Sequence, residues 1–174
     1  MGKLKGTRVY LAGPMDRAID RGKTWREYIT PYLKQFGIIV LDPCDKPIET
    51  CLENDENIRK RHELKQQEKW DEIAKFKAIR SVDLRMIDVS DFIIVCLDMD
   101  SKPFGTCEEI VTANREKKPI LVWSVQGKKE APDWLFWMIP HEFIFNSIDD
   151  ILLYLKNIDD GGEADKRWII FNFS

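Results

Sequence analysis

The sequence predicts an α/β fold: a three-layer, doubly wound, mainly parallel five-stranded sheet. Two observations carry this. Short β-branched and aliphatic runs alternate along the 174 residues with longer stretches whose apolar residues recur every three or four positions. One of the runs, Asp91-Phe92-Ile93-Ile94-Val95-Cys96-Leu97, is apolar throughout after its first residue, as a strand covered on both faces must be. Strands joined through helices pair in parallel with right-handed crossovers.

The first strand is Thr7 to Ala12, ended by Gly13-Pro14. Trp25, Ile29, Tyr32, Leu33 and Phe36 at helical spacing predict a helix that Gly37 stops. Ile38 to Leu41 reads as a buried strand, closed by Asp42-Pro43. From Lys46 to Lys77 the texture turns strongly charged, with few apolar anchors (Ile58, Leu64, Trp70, Ile73, Phe76). We expect a helical insertion at about 46–78 within a single domain spanning 1–174. It forms either one or two solvated outer helices or a mobile lid whose Arg59, Lys60 and Arg61 could meet an anion. Ile79 to Val89 is a core-facing helix with Ile79, Val82, Met86 and Val89 on its stripe. After the central strand come a helix at Thr106–Lys117, a strand at Pro119–Trp123 and a short helix at Trp134–Ile139. A strand at Phe143–Phe145 and an amphipathic helix at Ile148–Leu155 follow. Beyond Asp159-Asp160-Gly161-Gly162, Trp168 to Phe173 is a possible extra edge strand.

With 27 basic and 30 acidic residues, net charge −3, the chain lacks the basic excess of a nucleic-acid-coating protein. Cys44, Cys51, Cys96 and Cys107 show no C-x-x-C spacing and only His62 and His141 could assist, so no metal and no cofactor are expected. Reduced thiols, no apolar signal core and no membrane-length apolar run point to a cytoplasmic protein without a membrane partner.

Ligands of doubly wound sheets sit outside the carboxyl ends of the strands. Chemistry is therefore expected at Gly13 to Arg17, Asp42, Asp98 to Gly105 and from Ser124 onward. Asp98, Asp100 and Glu109 fall at that end, and Asp83 lies on or beside the apolar stripe of the preceding helix. Thr106-x-x-Glu109 reads as a capping box, with Glu109 returning a bond to the Thr106 amide. The same position can also be an ionised carboxylate favoured by a helix N-terminus, which suits a nucleophile. Asp83 is either a satisfied, partly buried acid or a functional one, and Tyr10 either core packing or a hydroxyl at the site. Phosphate-binding glycine loops, a G-x-S-x-G elbow and H-E-x-x-H are missing. What remains is carboxylate chemistry.

Three segments resemble one family: Tyr10-Leu11-Ala12-Gly13-Pro14-Met15-Asp16; Asp83-Leu84-Arg85-Met86-Ile87-Asp88-Val89-Ser90-Asp91; and Gly105-Thr106-Cys107-Glu108-Glu109-Ile110-Val111-Thr112-Ala113 with Lys118-Pro119-Ile120. They are similar to the nucleoside 2-deoxyribosyltransferase-like superfamily, which includes 2′-deoxynucleoside 5′-phosphate N-hydrolases. The resemblance implies a flavodoxin-like (Rossmann-like) sheet, no metal, and homo-oligomers with sites near subunit contacts. It makes Glu109 the nucleophile, Asp83 the acid that handles the base, and Tyr10 the hydroxyl that positions the nucleophile. Asp98 or Asp100 would hold the sugar hydroxyls. Gly13, Pro14, Met15 and Asp16, in the loop running to Arg21, would face phosphate or sugar, with Gly105 and Thr106 as further substrate contacts. Val111 stands where many members have glycine. Glu108 competes with Glu109, which keeps the Glu-x-x-x-Ala spacing to Ala113.

The expected reaction is retaining transfer: Glu109 attacks C1′, Asp83 assists the leaving base, and water or a second base resolves the glycosyl-enzyme. Arg17, Arg21 and Lys23 around the first loop suggest a nucleoside 5′-monophosphate. The alternatives are a module that binds a nucleotide without cleaving it, or a scaffold. In the scaffold, Trp134, Phe136, Trp137 and Met138 form either a contact surface or a buried or oligomeric face.

Overall fold

The structure, a computed structural model, describes residues 2–15, 20–46, 48, 51 and 54–173. Five strands, β1 (Arg8–Ala12), β2 (Ile39–Leu41), β3 (Phe92–Leu97), β4 (Ile120–Ser124) and β5 (Ile144–Phe145), form an all-parallel sheet in the order β2-β1-β3-β4-β5. Tyr10 stands level with Ile93 and Leu97 with Ser124. All six residues of β3 are buried, as their unbroken apolar run requires of the middle strand.

The helices are α1 (Lys23–Gln35), α2 (Asp55–Gln66), α3 (Trp70–Ala74), α4 (Lys77–Val89), α5 (Phe104–Arg115), α6 (Asp133–Met138) and α7 (Ile148–Asp159). Because β2 and β3 lie on opposite sides of β1, right-handed crossovers place α1 on one face and α4 with α5 on the other. Strand order reverses between β1 and β3, the place where such sheets open a crevice. No helix among the described residues is long and apolar enough to cross a membrane.

Four expectations need correction. β2 is an edge strand with Ile39 half exposed, so its apolar run marks one covered face, not two. The buried stripe of α4 is Ile79, Asp83 and Ile87 in place of Val82, Met86 and Val89, so an acid occupies a core position. Residues Ile169–Phe173 form a 3-10 turn and not a sixth strand. Trp168 is buried against Phe92 and donates its indole N–H to the Tyr154 hydroxyl of α7 at 2.8 Å, which anchors the tail to side chains instead of to the sheet edge. Finally, α5 begins at Phe104, two residues before Thr106; the Cys107 amide already bonds to Pro103 O at 2.8 Å, so no capping box forms.

Within the charged segment, Asp55–Gln66 and Trp70–Ala74 are helical. Ile58 is the buried residue of α2 and α3 has none, which leaves both with one face in water. Asn54 caps α2 by accepting from the Asn57 amide at 2.8 Å.

Candidate active site

A cavity of about 420 Å3 opens beyond the carboxyl ends of β1 and β3. Its walls are Gly13, Pro14 and Met15 after β1, Ile79, Arg80 and Asp83 of α4, Ser101 to Pro103, and Phe104, Gly105, Thr106 and Glu109 of α5. Arg61 of α2 and Phe76, which precedes α4, complete it. The guanidinium of Arg61 lies over the Phe76 ring at 5.9 Å.

Glu109 is the sixth residue of α5 and 6% exposed. Its Oε1 accepts two hydrogen bonds, from the Tyr10 hydroxyl at 3.0 Å and from Arg80 Nη1 at 2.8 Å. Oε2 accepts none among the described residues. At this depth in the helix the N-terminal dipole has faded. Burial instead governs the carboxyl and raises its pKa to about 7, with the hydrogen bond and charge of Arg80 opposing, Asp83 adding to the rise and Tyr10 opposing it. Tyr10, buried on β1, is held well above its ordinary pKa by burial and by Glu109, so its hydroxyl stays a donor.

Arg80 binds both candidate glutamates. Its Nε donates to Glu108 Oε2 at 2.9 Å, and Nη2 lies 2.8 Å from the same oxygen and donates to Gly105 O at 3.2 Å. Burial works against the cation, but the bonds and charges of the two glutamates outweigh it and raise its pKa. Glu108 is turned outward and does not line the cavity; Glu109 is turned inward and does. Arg80 Nη1 also lies 4.0 Å from Asp83 Oδ2, so Asp83 and Glu109 flank one guanidinium nitrogen. Asp83 is raised by burial and restrained by Lys46, Arg80 and Arg26. Its Oδ1 is 2.7 Å from Lys46 Nζ.

Two buried cations escaped the sequence reading. Arg26 is 1% exposed and donates to Leu11 O, Gly13 O and Gly22 O at 2.7–3.3 Å, holding the end of β1 against the start of α1. A Cβ on Gly22 would stand 2.3 Å from Pro14 O, and its φ of 69° is left-handed; both features require glycine there. The available signal for Arg26 was its place on the Ile29–Leu33 stripe at helical spacing. Lys46 offered none, being one cation in a charged run.

The other candidates divide. Gly13 is packed tightly, since a Cβ would stand 3.0 Å from the Trp25 ring, whereas Gly105 has nothing within 4 Å and leaves room at the cavity wall. Thr106 is 3% exposed and lines the cavity, and its hydroxyl has no hydrogen bond among the described residues. Asp98 and Asp100 do not line the cavity; both accept from Gln126 Nε2, at 2.7 and 3.2 Å. Asp42 pairs with Arg26 at 3.5 Å. Arg21 pairs with Asp55 at 3.7 Å, and neither it nor Lys23 reaches the cavity. Asp16 and Arg17 lie outside the described residues. Phe136 and Trp137 of the aromatic patch are exposed, Trp134 and Met138 half-buried.

The fold resembles that of a 2-deoxyribosyltransferase from Bacillus psychrosaccharolyticus (TM-score 0.54, 18% identity, covering 84% of this chain and 90% of that one). Similar likeness extends to a 2-deoxyribosyltransferase from Leishmania mexicana (TM-score 0.54, 19% identity, 86% and 97% covered). A conserved protein from Enterococcus faecalis V583 gives TM-score 0.53 at 15% identity, with 87% and 98% covered. No curated protein sequence matches. The sequence pattern of the nucleoside 2-deoxyribosyltransferases matches residues 9–136, from β1 through the cavity residues to α6. The chain belongs to the nucleoside 2-deoxyribosyltransferase family.

Proposed function

We propose that the protein breaks the N-glycosidic bond of a 2-deoxynucleoside or its 5′-monophosphate through a covalent glycosyl-Glu109 intermediate. The observation that carries this is the asymmetric bonding of Glu109. Tyr10 and Arg80 both engage Oε1, which orients the carboxylate and leaves Oε2 as the oxygen available to an anomeric carbon in the cavity. An ionised Glu109 attacks C1′ as the base departs, and Asp83, on the neighbouring wall, assists the departing nitrogen. Arg80 neutralises the attacking carboxylate until sugar charge develops. Free base then accepts the sugar in transfer, or water does in hydrolysis.

The reading favours a 5′-monophosphate. Lys102, on the cavity wall ahead of α5, has no ion pair among the described residues, and its φ of 53° is strained for lysine. Self-association belongs to the same reading: Phe104, 81% exposed at the cavity, and Val111, two turns on, share the outer face of α5.

The test is incubation with a panel of deoxynucleosides and their monophosphates, with chromatography of released base. Base release supports the proposal, and its dependence on added free base separates transfer from hydrolysis. Binding without release from any member would overturn it in favour of a sequestering module.

A further inference from the structure

Lys46 is the least expected member of the cluster. It follows β2 at the threshold of the charged segment, yet its side chain is fully buried and its Nζ lies 2.7 Å from Asp83 Oδ1. A lysine is sealed from water at real cost unless a partner and a use hold it there. Asp83 is faced by Lys46 from the loop after β2, by Arg80 from its own helix and by Arg26 from α1, with Glu109 and Tyr10 beyond. Of the three cations, both arginines are permanently charged; lysine alone can give up a proton. Lys46 does not line the cavity, whereas Asp83 does.

We infer that Lys46 is a positioning residue that acts through Asp83, holding that acid on the cavity wall and supplying the proton that the departing base takes. The inference rests on the N-glycosidic reading above. As the C1′–N bond breaks, its electron pair passes to the base nitrogen and Glu109 Oε2 forms the new bond to C1′. Asp83 begins as the carboxylate of its ion pair with Lys46; a proton passes from the Lys46 ammonium through Asp83 to the nitrogen, which leaves a neutral amine beside a carboxylate. When water or an incoming base attacks C1′, the proton it sheds returns to the pair and Glu109 leaves as carboxylate. No proton or charge is left over.

The test compares two leaving groups in the Lys46→Arg variant. Arginine keeps the charge beside Asp83 but cannot surrender a proton. One substrate is a nucleoside that the wild type cleaves; the other carries the same sugar and 5′ group on p-nitrophenol, which departs as the phenolate without protonation. Base release should fall by about a hundredfold while nitrophenolate release stays within about threefold of wild type, the signature of lost acid assistance. If arginine does not fit, Lys46→Gln is compared in the same way, and the ratio of the two rates within one preparation cancels any loss of folded protein. An equal fall on both substrates, or a fall on neither, overturns the role of Lys46 alone. A wild type that releases neither leaving group overturns the glycosidic reading, and this inference with it.

Discussion

Around the crevice between β1 and β3, the side chains sealed from water include Arg26, Lys46, Asp83 and Glu109; across β4 and β5 they are Phe143, Leu155, Ile158 and Trp168. The aromatic side is held by ring contacts: Trp168 lies 4.9 Å from Phe92, stacks at 5.3 Å on Phe171 and bonds to Tyr154, which meets Phe143 and Phe145 at 5.8 and 5.7 Å. Removing apolar area from water stabilises that region directly. In the crevice the same removal opposes every charge, and pairing only offsets it. One region is built to stay folded; the other keeps groups that folding alone would not select.

Changing Glu109→Gln separates the two most strongly. Base release should fall by about a thousandfold or more, because an amide cannot form the intermediate. Stability should move the other way. The ordinary carboxyl pKa of 4.5 is raised to about 7 in the folded protein, so between those values the folded state holds a proton that the unfolded chain releases. That contribution is complete below about 4.5 and is lost as pH rises through about 7. The variant should therefore exceed wild type in stability at pH 8, by up to about 3 kcal/mol, with little gain at pH 5. Denaturant midpoints at the two pH values check this; a gain of equal size at both would contradict the burial argument.

Trp168→Ala probes the opposite region. It should cost about 3–5 kcal/mol of stability in urea titration while turnover per folded molecule is unchanged. Impaired turnover in the folded fraction would erase the contrast. The smallest effect is expected of Tyr10→Phe, which removes one of the two bonds to Glu109 Oε1. Turnover should fall roughly tenfold. Because that bond lowers the Glu109 pKa, the rising limb of the pH–rate profile should also move upward. An unmoved limb would show that the hydroxyl does not act on the nucleophile.

The first strands were legible because their runs of β-formers carried punctuation: Gly13-Pro14, Gly37, Asp42-Pro43. Tyr10, Asp83 and Glu109 were gathered by the family resemblance; the topology of a parallel sheet by itself had brought together Asp98, Asp100 and Glu109, of which Glu109 lines the cavity. The tail could not be foreseen, since Trp168 to Phe173 is as apolar as a strand, and the contacts of Trp168 with Tyr154 and Phe92 join residues far apart in the chain. The start of α5 was misplaced because Thr106 has the chemistry of a cap while Pro103 occupies the position. Lys46 was hidden for a different reason. A charged run carries no periodicity that distinguishes a cation turned inward from the many turned outward, and for Lys46 that choice is made by Asp83 far along the chain.

Arg61 and Phe76 belong to an excursion that leaves the sheet after β2 and rejoins it at α4. The wall they form contributes no strand to the sheet and carries neither Tyr10 nor Glu109. On the proposed glycosidic reading, exchanging it alters substrate preference and leaves that frame in place. A chimaera that receives this stretch from another member of the fold should inherit the donor's taste in bases while keeping the recipient's carboxylates.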